Sequence, residues 1–478
     1  MKAKNILYIM SDQHRFDALS INGNPVCRTP NIDRIGKNGM NFTDCYTTAA
    51  LCSPARGSVV TGLFPHRHGQ LANTGNFNRV FDRQILDKTA YPKLLQKAGY
   101  RTGIAGKWHL PGEKDNALWG YDEWHSEWDY FRWLKEAKGI DYERGRDAVQ
   151  PIEWGGDAPF CGRSRLSAED TIETWITDKV LEMIDRFSAE GKPFQINCHY
   201  FAPHFPYAVP APFDSMYRPE EIEQPANFME MFQNKPTVQQ KELLRWNASH
   251  LTWKDWQKVI AAYYGYCTYM DGQIGRLLDA LEEKGLAQDT MVIYTADHGD
   301  MLGSHRLFNK GMNMYEETHH IPFLACCPGF IPAGSSCGKF ASLADVAPTL
   351  LAFAGAEIPE GLDGKSLLAL LQGEEPEHWR QDIFCEFHGY EPALCTIRMV
   401  RDERWKYVYN PCSEDELYDL VSDPGELYNL AGLLGYKHIL RRMKEKMVRW
   451  LRETDDSIAE EDSWKSSSYD LYISERER

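Results

Sequence analysis

Along roughly the first 350 residues, short apolar runs alternate with stretches whose apolar positions recur at helical spacing. The runs at Asn5–Met10, Arg101–Ala105, Phe194–Tyr200, Thr290–Thr295 and Ile321–Cys326 predict strands. Strands that alternate with helices are the pattern of an α/β domain built on a mostly parallel sheet. Pro30–Lys37 is a punctuated helix, with Thr29 as N-cap, Pro30 at the first helical position and Gly39 at its close. Trp256–Glu283 is a longer one, and its stripe of Met270, Ile274, Leu277, Leu278 and Leu281 assigns Met270 to the core. No internal repeat or low-complexity block interrupts this order.

The pattern changes at Gly373-Glu374-Glu375-Pro376-Glu377, a polar stretch with breakers that divides residues 1–375 from 376–478. Beyond it, Ile383–His388, Thr396–Arg401 and Trp405–Tyr409 read as short antiparallel strands and Tyr436–Arg452 as a closing helix. This predicts a smaller C-terminal α+β domain. The charged, Ser-rich tail after Asp455 is mobile by composition unless something such as a second subunit holds it, which leaves a homo-oligomer open.

Composition sharpens the class. With 478 residues, 43% hydrophobic and 12% aromatic, the chain can bury a full core, so disorder is excluded. Lys and Arg number 53 against 69 Asp and Glu, a net charge of -16, the wrong sign for nucleic acid as a partner. An anionic substrate therefore needs a local basic pocket. The early apolar run Ile6–Met10 is too short for a signal-peptide core or a membrane span, so the expectation is a cytoplasmic protein with no membrane partner. Twelve cysteines show neither CxxC pairs nor zinc spacing and read mostly as buried free thiols.

Four predicted strands end in polar residues of an unusual kind: Asp12-Gln13, Lys107-Trp108-His109, Pro203-His204 and Asp297-His298. Singly, an Asp after a strand is a helix cap and a His a hydrogen-bonded surface or core residue. Recurrence at four strand ends points to a shared site, because open α/β sheets bind ligands beyond the carboxyl ends of their strands. Cys52 precedes Pro54, which suits the first turn of a helix, so its side chain stands where backbone N–H groups favour an anionic nucleophile.

Cys52-Ser53-Pro54-Ala55-Arg56 with Thr61-Gly62 resembles the sulfatase signature, and the resemblance covers most of the chain. Thr29-Pro30-Asn31-Ile32-Asp33, Phe64-Pro65-His66-Arg67-His68-Gly69, Gly106-Lys107-Trp108-His109-Leu110, Pro203-His204-Phe205-Pro206-Tyr207, Ala296-Asp297-His298-Gly299-Asp300 and Glu416-Leu417-Tyr418-Asp419-Leu420 with Asp423-Pro424 follow in the family's order. The chain is thereby identified with the type I sulfatase branch of the alkaline-phosphatase-like superfamily. That resemblance implies a large, mixed, mostly parallel sheet sandwiched by helices, with an antiparallel sheet in the C-terminal domain.

It also implies roles. Cys52 matches the residue that a separate formylglycine-generating or anaerobic sulfatase-maturing enzyme oxidises to formylglycine, whose hydrate supplies the nucleophile, and Arg56 matches the Arg that holds the hydrate. Asp12, Gln13, Asp297 and His298, with residue 52, match the metal site, while Lys107, His109, His204 and Lys310 match the basic residues around the sulfate; Lys310 rests on the looser match Phe308-Asn309-Lys310-Gly311. The chemistry agrees. A metal activates the nucleophile and binds a sulfate oxygen, the lysines and Arg56 stabilise the nonbridging oxygens, and a His protonates the leaving alkoxide. By family analogy His109 then deprotonates the second hydroxyl of the hydrate, which expels sulfate and restores the aldehyde.

Many sulfatases carry a second Asp where this chain has Gln13, and Asn is common where it has His298. Two carboxylates, an amide oxygen and an imidazole hold less negative charge than an all-carboxylate site; Ca2+ is the first choice, Mn2+ and Mg2+ the alternatives. His66-Arg67-His68 reads as no metal cluster because adjacent side chains diverge, and Cys326-Cys327 reads as inert on a buried strand. The aromatic run Trp119, Tyr121, Trp124, Trp128, Tyr130, Phe131, Trp133 is core packing or, alternatively, a stacking wall for a sugar.

The sequence thus supports a metal-dependent sulfatase acting on a sulfated sugar or other small molecule, with a mono- or short oligosaccharide the size that can enter a cell. A phosphonate monoester or phosphodiester hydrolase of the same superfamily is the rival, against which Lys107-Trp108-His109 argues. A protein whose Cys52 stays a thiol and which only binds an anion is the second.

Overall fold

The structure is a computed structural model that describes residues 5–74, 88–141, 149–151, 161–390, 393–411 and 413–459. Its strands are β1 (Asn5–Ser11), β2 (Met40–Tyr46), β3 (Arg101–Gly106), β4 (Glu123–His125), β5 (Val149–Pro151), β6 (Cys161–Ser164), β7 (Phe194–His199), β8 (Tyr207–Val209), β9 (Thr290–Ala296), β10 (His320–Cys326), β11 (Ser335–Cys337), β12 (Ala341–Ser342), β13 (Ile383–Tyr390), β14 (Ala393–Arg401), β15 (Trp405–Tyr409) and β16 (Glu416–Asp419). A nine-stranded sheet runs β11-β2-β10-β9-β1-β7-β3-β4, with β12 also on β2.

β1 lies between β7 and β9, parallel to both, and β3 and β4 continue the parallel array. β10 runs antiparallel to both β9 and β2, so the sheet is mixed, and β2 points the same way as β1. Side chains alternate across a strand. Leu7 and Ile9 accordingly join the core against helices Ile172–Ala189 and Trp253–Glu283, whereas Ile6, Tyr8 and Met10 face helices Cys52–Thr61, Tyr91–Lys97 and Val346–Ala354. Met270 is fully buried, as its stripe predicts.

The helix Pro30–Lys37 has the predicted bounds, but its cap comes from elsewhere. The Thr29 hydroxyl turns to Ser20 and Asp33. The carboxylate of Asp271 accepts the exposed N–H groups of Asn31 and Ile32 instead, at 3.0 and 2.7 Å, and so pins this helix to the long one.

The C-terminal sheet is antiparallel in the order β13-β14-β15-β16, and helix Lys437–Glu453 packs Met443, Met447 and Leu451 against it. β16 and the small sheet β5-β6-β8 escape the apolar pattern because they are too short to show alternation. The tail from residue 460 lies outside the described residues.

A buried ion network closes the joint between the two parts. His66 Nδ1 donates to Glu386 (2.7 Å) and Nε2 to the Thr454 carbonyl (3.0 Å), so the ring carries both protons; burial lowers its pKa, but Glu386 outweighs that and holds it above the usual value. Arg398 meets Asp456 at 2.7 Å. These charges are already matched, which leaves His66, Glu386 and Asp456 as a structural clasp rather than a cation site.

Candidate active site

The carboxyl edge of the sheet gathers the polar strand ends. Asp12 follows β1, Lys107 follows β3, His204 lies in the loop after β7, Asp297 follows β9, and β2 leads to the helix that begins at Cys52. Gly106 permits this crowding: its φ is +105°, and a Cβ would fall 1.9 Å from the carbonyl of His199. Gln13 and His109 also hold positive φ (68° and 59°), strained backbone at two residues that face the centre.

Ligand atoms of Asp12, Cys52, Asp297 and His298 lie within 4.8 Å of one another. Cys52 Sγ is 3.3 Å from His298 Nε2 and 3.7 Å from Asp12 Oδ1. His298 donates Nδ1–H to the Gly299 carbonyl (2.8 Å), so its Nε2 faces the cluster, where burial lowers the ring's pKa but Asp297 outweighs it and holds that pKa above the usual value. Gln13 stands beside it: its Oε1 accepts from Lys310 Nζ (2.9 Å) and its amide donates to Asp300. Two carboxylates, a thiol and an imidazole thus form a group that could hold a metal ion, with the Gln13 amide beside it.

The two carboxylates sit in different fields. Burial pushes the Asp297 carboxyl up and the Asp12 charge pushes it further, with His298 and Arg56 opposing. On Asp12, burial and Cys52 act upward, yet Lys107, His204 and Arg56 hold it well below the carboxylate range. Burial likewise favours the neutral Cys52 thiol, but Lys107, Lys310 and His298 bring its pKa well below the usual value.

Arg56 bridges the two carboxylates. Its Nε donates to Asp297 (3.0 Å), Nη2 to Asp12 (3.0 Å) and Nη1 to the Lys107 carbonyl (2.7 Å). It is 2% exposed and outside the cavity lining, and it ties the two carboxylates together beside Cys52.

Lys107, His109, His204 and Lys310 form the floor of a cavity of about 610 Å³. Lys107 Nζ pairs with Asp12 and lies 3.7 Å from Cys52 Sγ. His109 hydrogen-bonds Cys52. His204 donates Nδ1–H to the Phe205 carbonyl (2.5 Å), and its Nε2 accepts from Lys310 Nζ (3.1 Å). Burial first, then Lys310 and Lys107, push His204 down to about 4.

The expected aromatic run divides. Trp119, Tyr121 and Trp124 pack edge-on around Trp108 in the core, whereas Trp128, Tyr130 and Phe131 line the cavity, faced there by Trp246 and Tyr390 from distant segments. Asp300, at the end of the block Ala296-Asp297-His298-Gly299-Asp300, supports the site. It accepts from Gln13, Tyr207 and the backbone N–H of Asn309 (3.0 Å), and so sets Gln13 against the loop that carries Lys310. Its place three residues after Asp297 was the available signal.

Among the described residues no disulfide forms, and burial pushes the Cys326 thiol up to about 12, as an inert thiol requires. No described helix is long and apolar enough to cross a membrane.

The sequence pattern of the family described as Sulfatase matches residues 4–356, and that described as N-sulphoglucosamine sulphohydrolase, C-terminal, matches residues 303–453. The chain is 29% identical to an N-acetylglucosamine-6-O-sulfatase of Bacteroides thetaiotaomicron, over 96% of this chain and 88% of that one. A solved structure in complex with D-glucosamine-2-N,6-O-disulfate superposes with a TM-score of 0.77 at 24% identity, covering 95% of this chain and 99% of the other. The phosphonate monoester hydrolase of Agrobacterium radiobacter superposes with a TM-score of 0.79 at 26% identity, covering 94% and 96%.

Proposed function

The chain belongs to the sulfatase family and is a sulfuric ester hydrolase, and from that premise we propose that it removes sulfate from a mono- or short oligosaccharide through formylglycine at position 52, with a divalent metal beside it. The observation that carries the reading is the position of Cys52, between the Asp12–Asp297 pair and the two lysines that floor the cavity. Asp12, Gln13, Asp297, His298 and residue 52 would hold the metal. Calcium suits the hard oxygen donors, and His298 keeps manganese and magnesium as alternatives. When bound, the metal supplies Lewis acidity toward a sulfate oxygen and a lowered pKa at the nucleophile; formylglycine supplies the hydroxyl that attacks.

The remaining roles fall to this chain's own groups. Arg56 holds Asp12 and Asp297 together against their mutual repulsion. Lys107 and Lys310 meet the negative charge of the substrate's sulfate, which a poor electrophile of that charge requires. His204 is neutral near pH 7 in the free enzyme, and an incoming sulfate between the two lysines offsets the charges that keep it so. Its Nε2 then carries the proton that the leaving alkoxide takes. His109, bonded to residue 52, is the base that accepts a proton from it during turnover. A cavity of about 610 Å³ lies within the roughly 300–1,000 Å³ range of small-ligand sites, in keeping with a short substrate.

The test is sulfate release by protein matured in a host with a formylglycine-forming enzyme, against a panel of defined sulfated mono- and disaccharides with phosphonate monoester and phosphodiester controls. Turnover of a sulfated sugar ahead of both controls is the expected result. Faster hydrolysis of a phosphonate monoester than of every sulfate would replace this reading with the related hydrolase.

A further inference from the structure

Asp300 is fully buried and spends its two carboxylate oxygens on different segments. Oδ1 accepts the backbone N–H groups of Leu302 (2.9 Å) and Asn309 (3.0 Å), while the Met301 amide donates to the Asn309 carbonyl (2.8 Å). One oxygen thus ties both ends of a loop that is strained between them: Leu302, His305, Arg306 and Asn309 all hold positive φ, from 41° to 65°. Lys310 follows that loop directly. Oδ2 accepts from the Tyr207 hydroxyl (2.5 Å) and from the side-chain amide of Gln13, which is itself fully buried.

A carboxylate accepts and does not donate, so Gln13 meets Asp300 with its NH2 group and its amide oxygen is left for the other side. There Oε1 accepts from the Lys310 ammonium (2.9 Å), whose charge acts on Cys52, and the Gln13 backbone N–H donates to Asp297 (3.1 Å). Tyr263 donates to the Gln13 carbonyl (2.8 Å), which anchors the backbone but leaves the side-chain amide free to turn over about its last bond. Asp300 is the contact that forbids the turn. A carboxylate at position 13 would face a second carboxylate, so the same contact accounts for an amide there.

We propose that Asp300 is a positioning residue of the metal group: it keeps the Gln13 amide oxygen, and not the NH2 group, available to the metal, so that metal affinity depends on what residue 300 offers residue 13. This rests on the metal reading above and deepens it.

The experiment measures binding of Ca2+, and separately of Mn2+, to the purified full chain by competition with a chromophoric chelator, in a double-mutant cycle at positions 13 and 300. Asp300→Asn retains an oxygen for the Leu302 and Asn309 N–H groups but turns an NH2 group toward that of Gln13. It should weaken binding by roughly 10- to 100-fold, the usual effect of losing a group that orients a metal ligand. In the Gln13→Glu background the new acceptor suits that NH2 group, and the loss caused by Asp300→Asn should shrink by roughly fivefold or more, as for residues in contact. Equal losses in both backgrounds, the result of a lost charge or a loosened fold alone, overturn the positioning role while leaving the metal reading intact. If Asp300→Asn fails to fold, a crystal structure of the wild type with Ca2+ decides. Gln13 Oε1 beside the ion with its NH2 group on Asp300 is the expected result, and a Gln13 side chain turned away from either overturns the role. Wild-type protein that binds neither ion overturns the metal reading and the role with it.

Discussion

Nε2 of His298 lies 3.3 Å from the sulfur of Cys52, while Nδ1 of the same ring is tied to the Gly299 carbonyl. The backbone bond fixes the ring's orientation, so Nε2, the atom a metal would take, faces residue 52 and the two carboxylates. The ring thereby joins Asp12, Cys52 and Asp297 in the group proposed above to hold a metal beside the nucleophile.

Asp297→Asn should remove bound metal and lower sulfate-ester turnover by roughly 10²-fold or more, since the metal supplies several kcal/mol of charge stabilisation. Elemental analysis of the purified variant, with circular dichroism to confirm the fold, measures this. Full metal content in the variant would remove Asp297 from the ligand set.

Arg56 compensates two buried carboxylates at once, and removing one partner of such a network costs about 3–5 kcal/mol. Arg56→Met should therefore lower the thermal midpoint strongly in chelator, and added Ca2+ should recover part of the loss by supplying the missing positive charge. A wild-type midpoint in chelator would contradict the structural role.

His204→Ala should slow substrates with poor leaving groups by roughly 10²- to 10⁴-fold, the usual worth of a general acid. Aryl sulfates, whose leaving oxygen hardly needs a proton, should lose far less. Equal losses on sugar and aryl sulfates would take the general-acid role from His204.

The strand ends were legible because each chemical residue sits one or two positions beyond an apolar run, as with Asp12 after β1 and Asp297 after β9. Partners distant in sequence were not. Thr29 reads as a cap from local pattern, yet Asp271, in another helix, does the capping. The direction of β10 is equally silent in its composition, because a buried strand reads alike whether it runs parallel or antiparallel. Arg56 was identified from its motif, but its contacts depend on where Asp12 and Asp297 converge, which only the folded sheet decides. The aromatic run separated for the same reason: helical phase sends Tyr130 inward, while Trp128 is left 59% exposed at the cavity.

His319 is fully buried and pushed down to about 3, by burial first and then by Lys406. An unfolded chain protonates this His below its ordinary value of about 6.5, and the folded one does not. The stability it contributes is therefore present above pH 6.5 and is lost as the pH falls toward 3. Relative to wild type, His319→Gln should gain about 1.4 kcal/mol between pH 7.5 and 5.5 in urea unfolding. A difference between the two proteins that does not change with pH would contradict the buried neutral state.

The central claim is that residue 52 acts as formylglycine. Mass spectrometry of the peptide containing position 52 tests it most directly, on preparations matured to different extents and assayed for release of sulfate. The account predicts the aldehyde or its hydrate at that position, with activity in proportion to the fraction converted. A preparation holding only the unmodified Cys52 thiol and showing full sulfatase activity would contradict it.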